Sequence, residues 1–259
     1  VLIAVVTAAF SLVMAAAWLV QRALRNAGWV DAIWTFALGA GGTAYALAPI
    51  PGIAWPGPRQ VLIAAVIGVW AARLGIHLAR RTWGKPEDSR YAQFRREWGS
   101  GYERRMFWFL QIQAAAAAFL ALTVWAAARN PAPLGAGDGL GLALITIAYV
   151  GAAIADAQLQ RFREEPGHRG RICDRGVWRW SRHPNYFFEW LGWLAYPFFA
   201  IRLNGVDWGL LALTGPAFMY VLLVHVSGIP PLEQQMLRTR GQDFQTYRAR
   251  TNAFFPWPR

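Results

Sequence analysis

The sequence predicts an all-α polytopic membrane protein: one helical bundle over residues 1–259, with seven transmembrane helices. Three observations predict it. Apolar residues make up 56% of the chain and charged residues 15%, against roughly 25% charged in an average soluble domain. A soluble fold needs more polar surface than that. Apolar runs long enough to cross roughly 30 Å of hydrocarbon recur seven times. The connections between them alternate between rich and poor in basic residues. The apolar excess also excludes a disordered chain, and 15 Trp with 15 Phe suit interfacial aromatic belts.

The runs follow in chain order. The first, 1–20, has no basic segment before it and no clear cleavage site. It reads as a first membrane helix rather than a signal peptide, with the initiating Met missing. The second covers about 29–50, the third 61–78, the fourth 106–128 and the fifth about 140–159. The sixth, 186–201, is short and aromatic, and the seventh is 208–226.

Twenty-two of the 26 basic residues fall in connections 1–2, 3–4 and 5–6 and in the C-terminal tail. The other connections hold only Arg59, Arg129 and Arg202, and Arg73 lies inside the third span. Such asymmetry puts the N-terminus outside and the C-terminus in the cytoplasm, in what is expected to be a bacterial cytoplasmic membrane. All but Lys85 of the basic residues are Arg, and the pI is near 10.9. That charge first suggests nucleic acid, but its distribution points to membrane topology and an anionic ligand, with no nucleic-acid partner. Cys173 stands alone, which excludes an intramolecular disulfide and a Cys-based metal site. The four His are scattered and form no metal cluster. There is no GxGxxG after a strand, no P-loop, no GxSxG and no HExxH. The spans carry too few charges for an obvious ion pathway. No obligate protein partner is evident.

Ionisable groups at membrane depth are costly, so each is a candidate functional residue; the alternative is a helix–helix hydrogen bond or snorkelling. Asp31 opens the second span between Trp29 and Trp34. It reads either as a carboxylate favoured by the helix dipole or as an enclosed, aromatic-lined site. Arg73 and His77 share one face of the third span with Arg80 and Arg81. Arg73 lies about two turns deeper and needs a partner, and Asp31 is the nearest candidate by topology. In Gly84-Lys85-Pro86-Glu87-Asp88-Ser89-Arg90-Tyr91, Pro86 and the acidic pair suit a helix start. This stretch is either a solvated loop or one that folds Tyr91 back to a site. Asp156, Gln160 and Arg163 share a face at the cytoplasmic end of the fifth span. The densest group runs from Asp174 to Trp190. Arg175, Arg179 and Arg182 precede a helix opened by Pro184, with Asn185 and Glu189 on one face. Arginines beside a helix N-terminus favour phosphate; lipid headgroups explain them as well, but not Asn185 and Glu189. His225, then Ser227-Gly228-Ile229-Pro230-Pro231, end the seventh span with a break or kink. Glu233, Arg238 and Tyr247 follow on a tail that either caps a ligand or is solvated.

Four stretches resemble the DUF1295 family. They are Trp178-Arg179-Trp180-Ser181-Arg182-His183-Pro184-Asn185-Tyr186 with Glu189, the Gly84 to Tyr91 segment, Val30-Asp31-x-x-Trp34, and Val226-Ser227-Gly228-Ile229-Pro230. The resemblance covers about residues 20–256 and places the chain near the steroid 5α-reductase-like membrane superfamily. A related Arg-His-Pro-x-Tyr run occurs in membrane methyltransferases of the isoprenylcysteine and phospholipid type. The resemblance implies NADPH bound from the cytoplasm, in a part spanning about residues 151–259, and reduction of a carbon–carbon double bond conjugated to a carbonyl. The substrate would be a lipophilic small molecule, sterol-like, isoprenoid or acyl. Asn185 and Glu189 match residues at the nicotinamide end, and Asp156 and Arg163 match cofactor-binding residues of the fifth span. Asp31 sits roughly where a carboxylate holds the substrate carbonyl. Trp70 stands where those enzymes place a catalytic Tyr, which removes a hydroxyl donor, and His225 stands where relatives often have Arg.

The expected catalytic group is therefore Asp31, Arg73, His77 and Tyr91. The expected cofactor group is Asp156, Gln160, Arg163, Arg171, Arg179, Arg182, His183, Asn185, Tyr186, Glu189, His225, Glu233, Arg238 and Tyr247. The alternatives are an S-adenosylmethionine-dependent lipid methyltransferase, whose cofactor needs fewer Arg, and a non-enzymatic lipid-binding membrane protein.

Overall fold

The computed structural model describes residues 1–52, 54–168, 170–201 and 208–258. Arg169, Arg202 and Arg259, counted above among the loop charges, lie outside these residues. The described chain is helical, with no strand and one isolated parallel bridge between Ser181 and Asn252. Five helical stretches are long and apolar enough to cross a membrane: Leu2–Leu24, Pro58–Thr82, Ser89–Ala128, Ala136–Glu164 and Gly209–Arg250. The chain is an integral membrane protein, and it divides into two compact units.

The first unit comprises Val1–Leu134 and Phe199–Gly215. Its helices are α1 (Leu2–Leu24), α2 (Trp29–Ala46), α3 (Pro58–Thr82), α4 (Ser89–Trp98) and α5 (Tyr102–Ala128). The second expected span is thus four residues shorter at its C-terminal end. α2 packs on α1, α3 and α5. Its glycines allow the closest approach: a Cβ on Gly39 would fall 2.2 Å from the Cβ of Ala71 on α3. Close backbone approach of this kind suits helices that have no hydrophobic drive toward one another in lipid. Ser11 on α1 donates to Gln111 on α5 at 2.6 Å, satisfying both inside the apolar bundle. The end of the unit that holds the α3 N-terminus is closed by two buried neighbours. The Arg59 guanidinium donates to the carbonyls of Asn130, Ala132 and Pro133. Gln60 donates to those of Ala46 and Ala48 and accepts from the Gly57 amide.

The second unit comprises Gly135–Phe198 and Pro216–Arg259. Its long helix α6 (Ala136–Glu164) opens with Asp138 accepting from the Gly135 amide at 2.8 Å. α7 (Pro184–Leu194) packs on α6 and begins with Pro184, whose missing N–H is no loss in a first turn. The sixth expected span is interrupted: α7 stops at Leu194, and a five-residue helix, α8 (Tyr196–Ala200), follows Ala195. The seventh continues from α9 (Thr214–Val221) through a π-helical turn, Leu222–Val226, into α10 (Ile229–Arg250). The Ser227-Gly228 step interrupts it where the sequence predicts a break, and Gly241 kinks α10 with φ 47°.

Candidate functional site

Both units build polar clusters around carboxylates. In the first unit Asp88 caps α4 by accepting from the Arg90 amide at 3.0 Å. This is the usual way to satisfy an orphan first-turn donor. Asp88 also receives Arg90 Nε at 3.0 Å and the Arg81 guanidinium. Burial pushes the Asp88 carboxyl up, but the charges and hydrogen bonds of Arg90, with Arg81, outweigh it and hold it below the usual carboxylate range. The cap orients the first turn of α4 so that two successive residues reach α2. Arg90 Nη2 meets Asp31 Oδ2 at 2.7 Å, and the Tyr91 hydroxyl donates to Asp31 Oδ1 at 2.7 Å. Tyr91 is 2% exposed. The start of α2 is secured from the same connection: Glu87 accepts from the Ala27 amide at 3.1 Å.

Of the two readings of the segment from Gly84 to Tyr91, the structure shows Tyr91 folded back and buried against Asp31. The donor in the pair is Tyr91 and the acceptor is Asp31. Asp31 is engaged by Arg90 and Tyr91. Arg73 and His77 lie half-buried one turn apart on α3. Trp70, on the same helix, is buried.

In the second unit Asn185, in the first turn of α7, donates to Asp156 Oδ1 on α6 at 3.3 Å. Its Oδ1 accepts from the Tyr186 amide. Glu189 lies half-buried one turn further along the same face. The loop before α7 is anchored on α6 by Trp178 Nε1, which donates to the Ala155 carbonyl at 2.9 Å, and by the Val177 amide, which donates to Gln158 at 3.0 Å. Gly176 makes that anchor possible: its φ is 58°, and a Cβ there would lie 2.3 Å from Gln158 Oε1.

A second knot holds this loop to α10. Glu233 Oε1 receives Arg182 Nε at 2.7 Å and His183 Nε2 at 3.2 Å. Arg182 Nη1 also donates to the carbonyls of Arg248 and Thr251. Ser181 donates to the Phe254 carbonyl, and Tyr247 donates to the Trp178 carbonyl. Burial lowers the His183 pKa by more than the hydrogen bond and charge of Glu233 restore. A neutral imidazole facing a carboxylate must carry its proton on Nε2. The Tyr186 ring stacks on His183 at 5.5 Å.

The structure thus brings Asp31 to Tyr91, Asp156 to Asn185, and Arg182 to His183 and Glu233. Gln160 is not part of the Asp156 pair; it is exposed and donates to Glu164 on its own helix. Arg163, Arg171, Arg179, His225 and Arg238 are exposed. His225 sits edge-on to Tyr220 in the π-helical turn. Glu233 and Tyr247 are buried rather than solvated. The residues that sequence reasoning passed over are Arg90, Asp88, Gln158 and Ser181. For Arg90 a signal existed: in Asp88-x-Arg90-Tyr91 a capping aspartate fixes the direction of the next two side chains.

Residues 17–251 match the family described as a protein of unknown function, DUF1295, and the chain belongs to that family. No curated protein and no solved structure matches it.

Proposed function

We propose that this DUF1295 member is an NADPH-dependent reductase of a carbon–carbon double bond conjugated to a carbonyl in a lipophilic substrate, steroid-like or isoprenoid. We further propose seven crossings, with the N-terminus outside and the C-terminus in the cytoplasm of a bacterial membrane. The basic asymmetry of the connections supports that topology.

The observation that carries the proposal is the buried Tyr91 hydroxyl on Asp31, with Arg90 on the opposite carboxylate oxygen. Reduction of an enone builds negative charge on the carbonyl oxygen, and a preorganised donor at that oxygen lowers the barrier. Trp70 has no hydroxyl to offer, whereas Tyr91 has one. Its proton turns from Asp31 to the substrate oxygen, while Arg90 keeps the carboxylate in place.

The second unit's donor set fits NADPH. The Asn185 amide and Asp156 carboxylate match a carboxamide and ribose hydroxyls. The exposed guanidiniums of Arg161, Arg171 and Arg179 match phosphates. Arg182 and Arg250 are already engaged by Glu233 and Asp174. When bound, NADPH supplies the hydride. Titrating detergent-purified protein with NADPH, NADH and S-adenosylmethionine tests the proposal. NADPH should quench tryptophan fluorescence. Binding of S-adenosylmethionine without NADPH would overturn the reductase in favour of the methyltransferase.

A further inference from the structure

The first unit contains a polar pocket separate from the Asp31 cluster. It has a volume of about 480 Å³ and is lined by Gln21, Arg22, Arg25, Arg95 and Glu103. The local sequence explains why charge collects there. Arg22 and Arg25 stand at the C-terminus of α1, where cations complement the helix dipole, and Glu103 stands in the first turn of α5, where an anion does. The floor is built rather than incidental. Gln21 is 0% exposed, donates to Glu103 Oε2 at 3.1 Å and accepts from the Tyr102 hydroxyl at 3.4 Å. Trp18 Nε1 donates to the Glu103 carbonyl at 3.0 Å. Two guanidiniums lie over aromatic rings: Arg22 at 4.6 Å from the Trp18 centroid and Arg95 at 4.1 Å from that of Tyr102. Rings hold an arginine fork in place while leaving its edge donors available to a planar or tetrahedral anion.

The charges do not cancel. Glu103 faces Arg22 at 3.5 Å, and Glu87 holds Arg95 at 3.0 Å. Arg25 is exposed and adds a third cation. The surplus of one positive charge balances the single negative charge of a phosphodiester. The helix surfaces leading away from the pocket are apolar and exposed: Leu12 and Leu19 on α1, Trp108 and Ile112 on α5. They suit acyl chains, with Trp18 and Trp108 at headgroup level.

We propose that this pocket seats the phosphodiester of an anionic phospholipid, whose acyl chains run along Leu12 and Leu19 and along Trp108 and Ile112. A free phosphate would use the same arginines but not the apolar surfaces. The test is native mass spectrometry of the full chain in neutral detergent, with phosphatidylglycerol, phosphatidylcholine and inorganic phosphate as probes. Phosphatidylglycerol should be retained. Arg22→Gln with Arg25→Gln should weaken its retention more than tenfold, the loss expected when charge-assisted hydrogen bonds are removed. Arg25→Glu alone, at an exposed position that cannot unfold the bundle, should weaken it in the same direction. Arg80→Gln, exposed on α3 and not among the residues lining the pocket, should change it little. Equal retention by all variants would overturn the site. Displacement of the lipid by inorganic phosphate, or equal retention of phosphatidylcholine, would overturn its assignment to an anionic lipid.

Discussion

Asp31 and Glu233 are each gripped by an arginine and by a neutral donor, yet the two clusters are built for different work. At Asp31 the donors are Arg90 and Tyr91, successive residues of one helical turn, and the Asp31 and Arg90 side chains keep 22% and 29% of their surface exposed. At Glu233 the side chain is 11% exposed and that of Arg182 is 9%. His183 and Arg248 also face Glu233, and Nη1 of Arg182 donates to two backbone carbonyls. The Glu233 cluster is closed, and it fastens the loop before α7 to α10. The Asp31 cluster is half-open, and the proposed reduction requires its hydroxyl to change partner. An arginine and a carboxylate in one sequence motif therefore do not reveal whether they serve a ligand or one another. That depends on how many of their hydrogen-bonding positions the fold has already filled.

The largest effect should come from emptying the closed cluster. Glu233→Ala strands two buried cationic or polar donors, and breaking one side of a buried ion pair typically costs about 3–5 kcal/mol. Thermal unfolding in detergent should show a large fall in midpoint, whereas Asp31→Asn should leave the midpoint near that of the unaltered chain and remove turnover. A stable Glu233→Ala variant that had lost only NADPH binding would reverse the contrast and return Glu233 to the cofactor. Next in size is Tyr91→Phe. Loss of one preorganised donor to a developing oxyanion typically lowers kcat by about 10²–10³, with little change in stability because the ring still fills its place. Unchanged kcat would remove Tyr91 from the chemistry. Smaller again is Arg182→Lys. It keeps the charge but cannot reach Glu233 and two carbonyls together, so it should cost about 1–3 kcal/mol in the same unfolding assay.

The membrane class was legible because long apolar runs leave a chain few other options, and the first, third, fourth, fifth and seventh spans each overlap a helical stretch long and apolar enough to cross a membrane. The break at Ala195 was not legible: an apolar, aromatic run reads the same whether it is one helix or two. Asp156 and Asn185 were each recognisable as candidates because so few polar groups lie in those apolar stretches, but their pairing was not. The union of Asp31 with Tyr91 joins residues 60 positions apart. Local periodicity says nothing about which connections meet. The arginines of the loop before α7 all read as phosphate ligands. Composition could not show that Arg182 is committed to Glu233 while Arg179 remains exposed.

Acidification should separate the two clusters with the smallest effect, since a single proton changes stability by at most about 1.4 kcal/mol per pH unit. Burial depresses the His183 pKa below that of an ordinary histidine. An unfolded chain takes up that proton from about pH 6.5 downward, while the folded chain resists it. The contribution of His183 to stability is therefore complete above about pH 6.5 and is lost as the pH falls through its folded value. Asp88 is also depressed, because Arg90 and Arg81 outweigh its burial, but its unfolded reference is near 3.9. Its contribution persists to that pH and is lost only as the pH drops through the lower folded value. Hydrogen exchange followed across this range should show the amides of Ser181 to His183 loosening first and the first turn of α4 loosening later. Replacing His183 with Gln should abolish the earlier step and leave the later one. Simultaneous loss at both places, or an earlier step that survives in His183→Gln, would mean that the closed cluster is not held by a neutral imidazole.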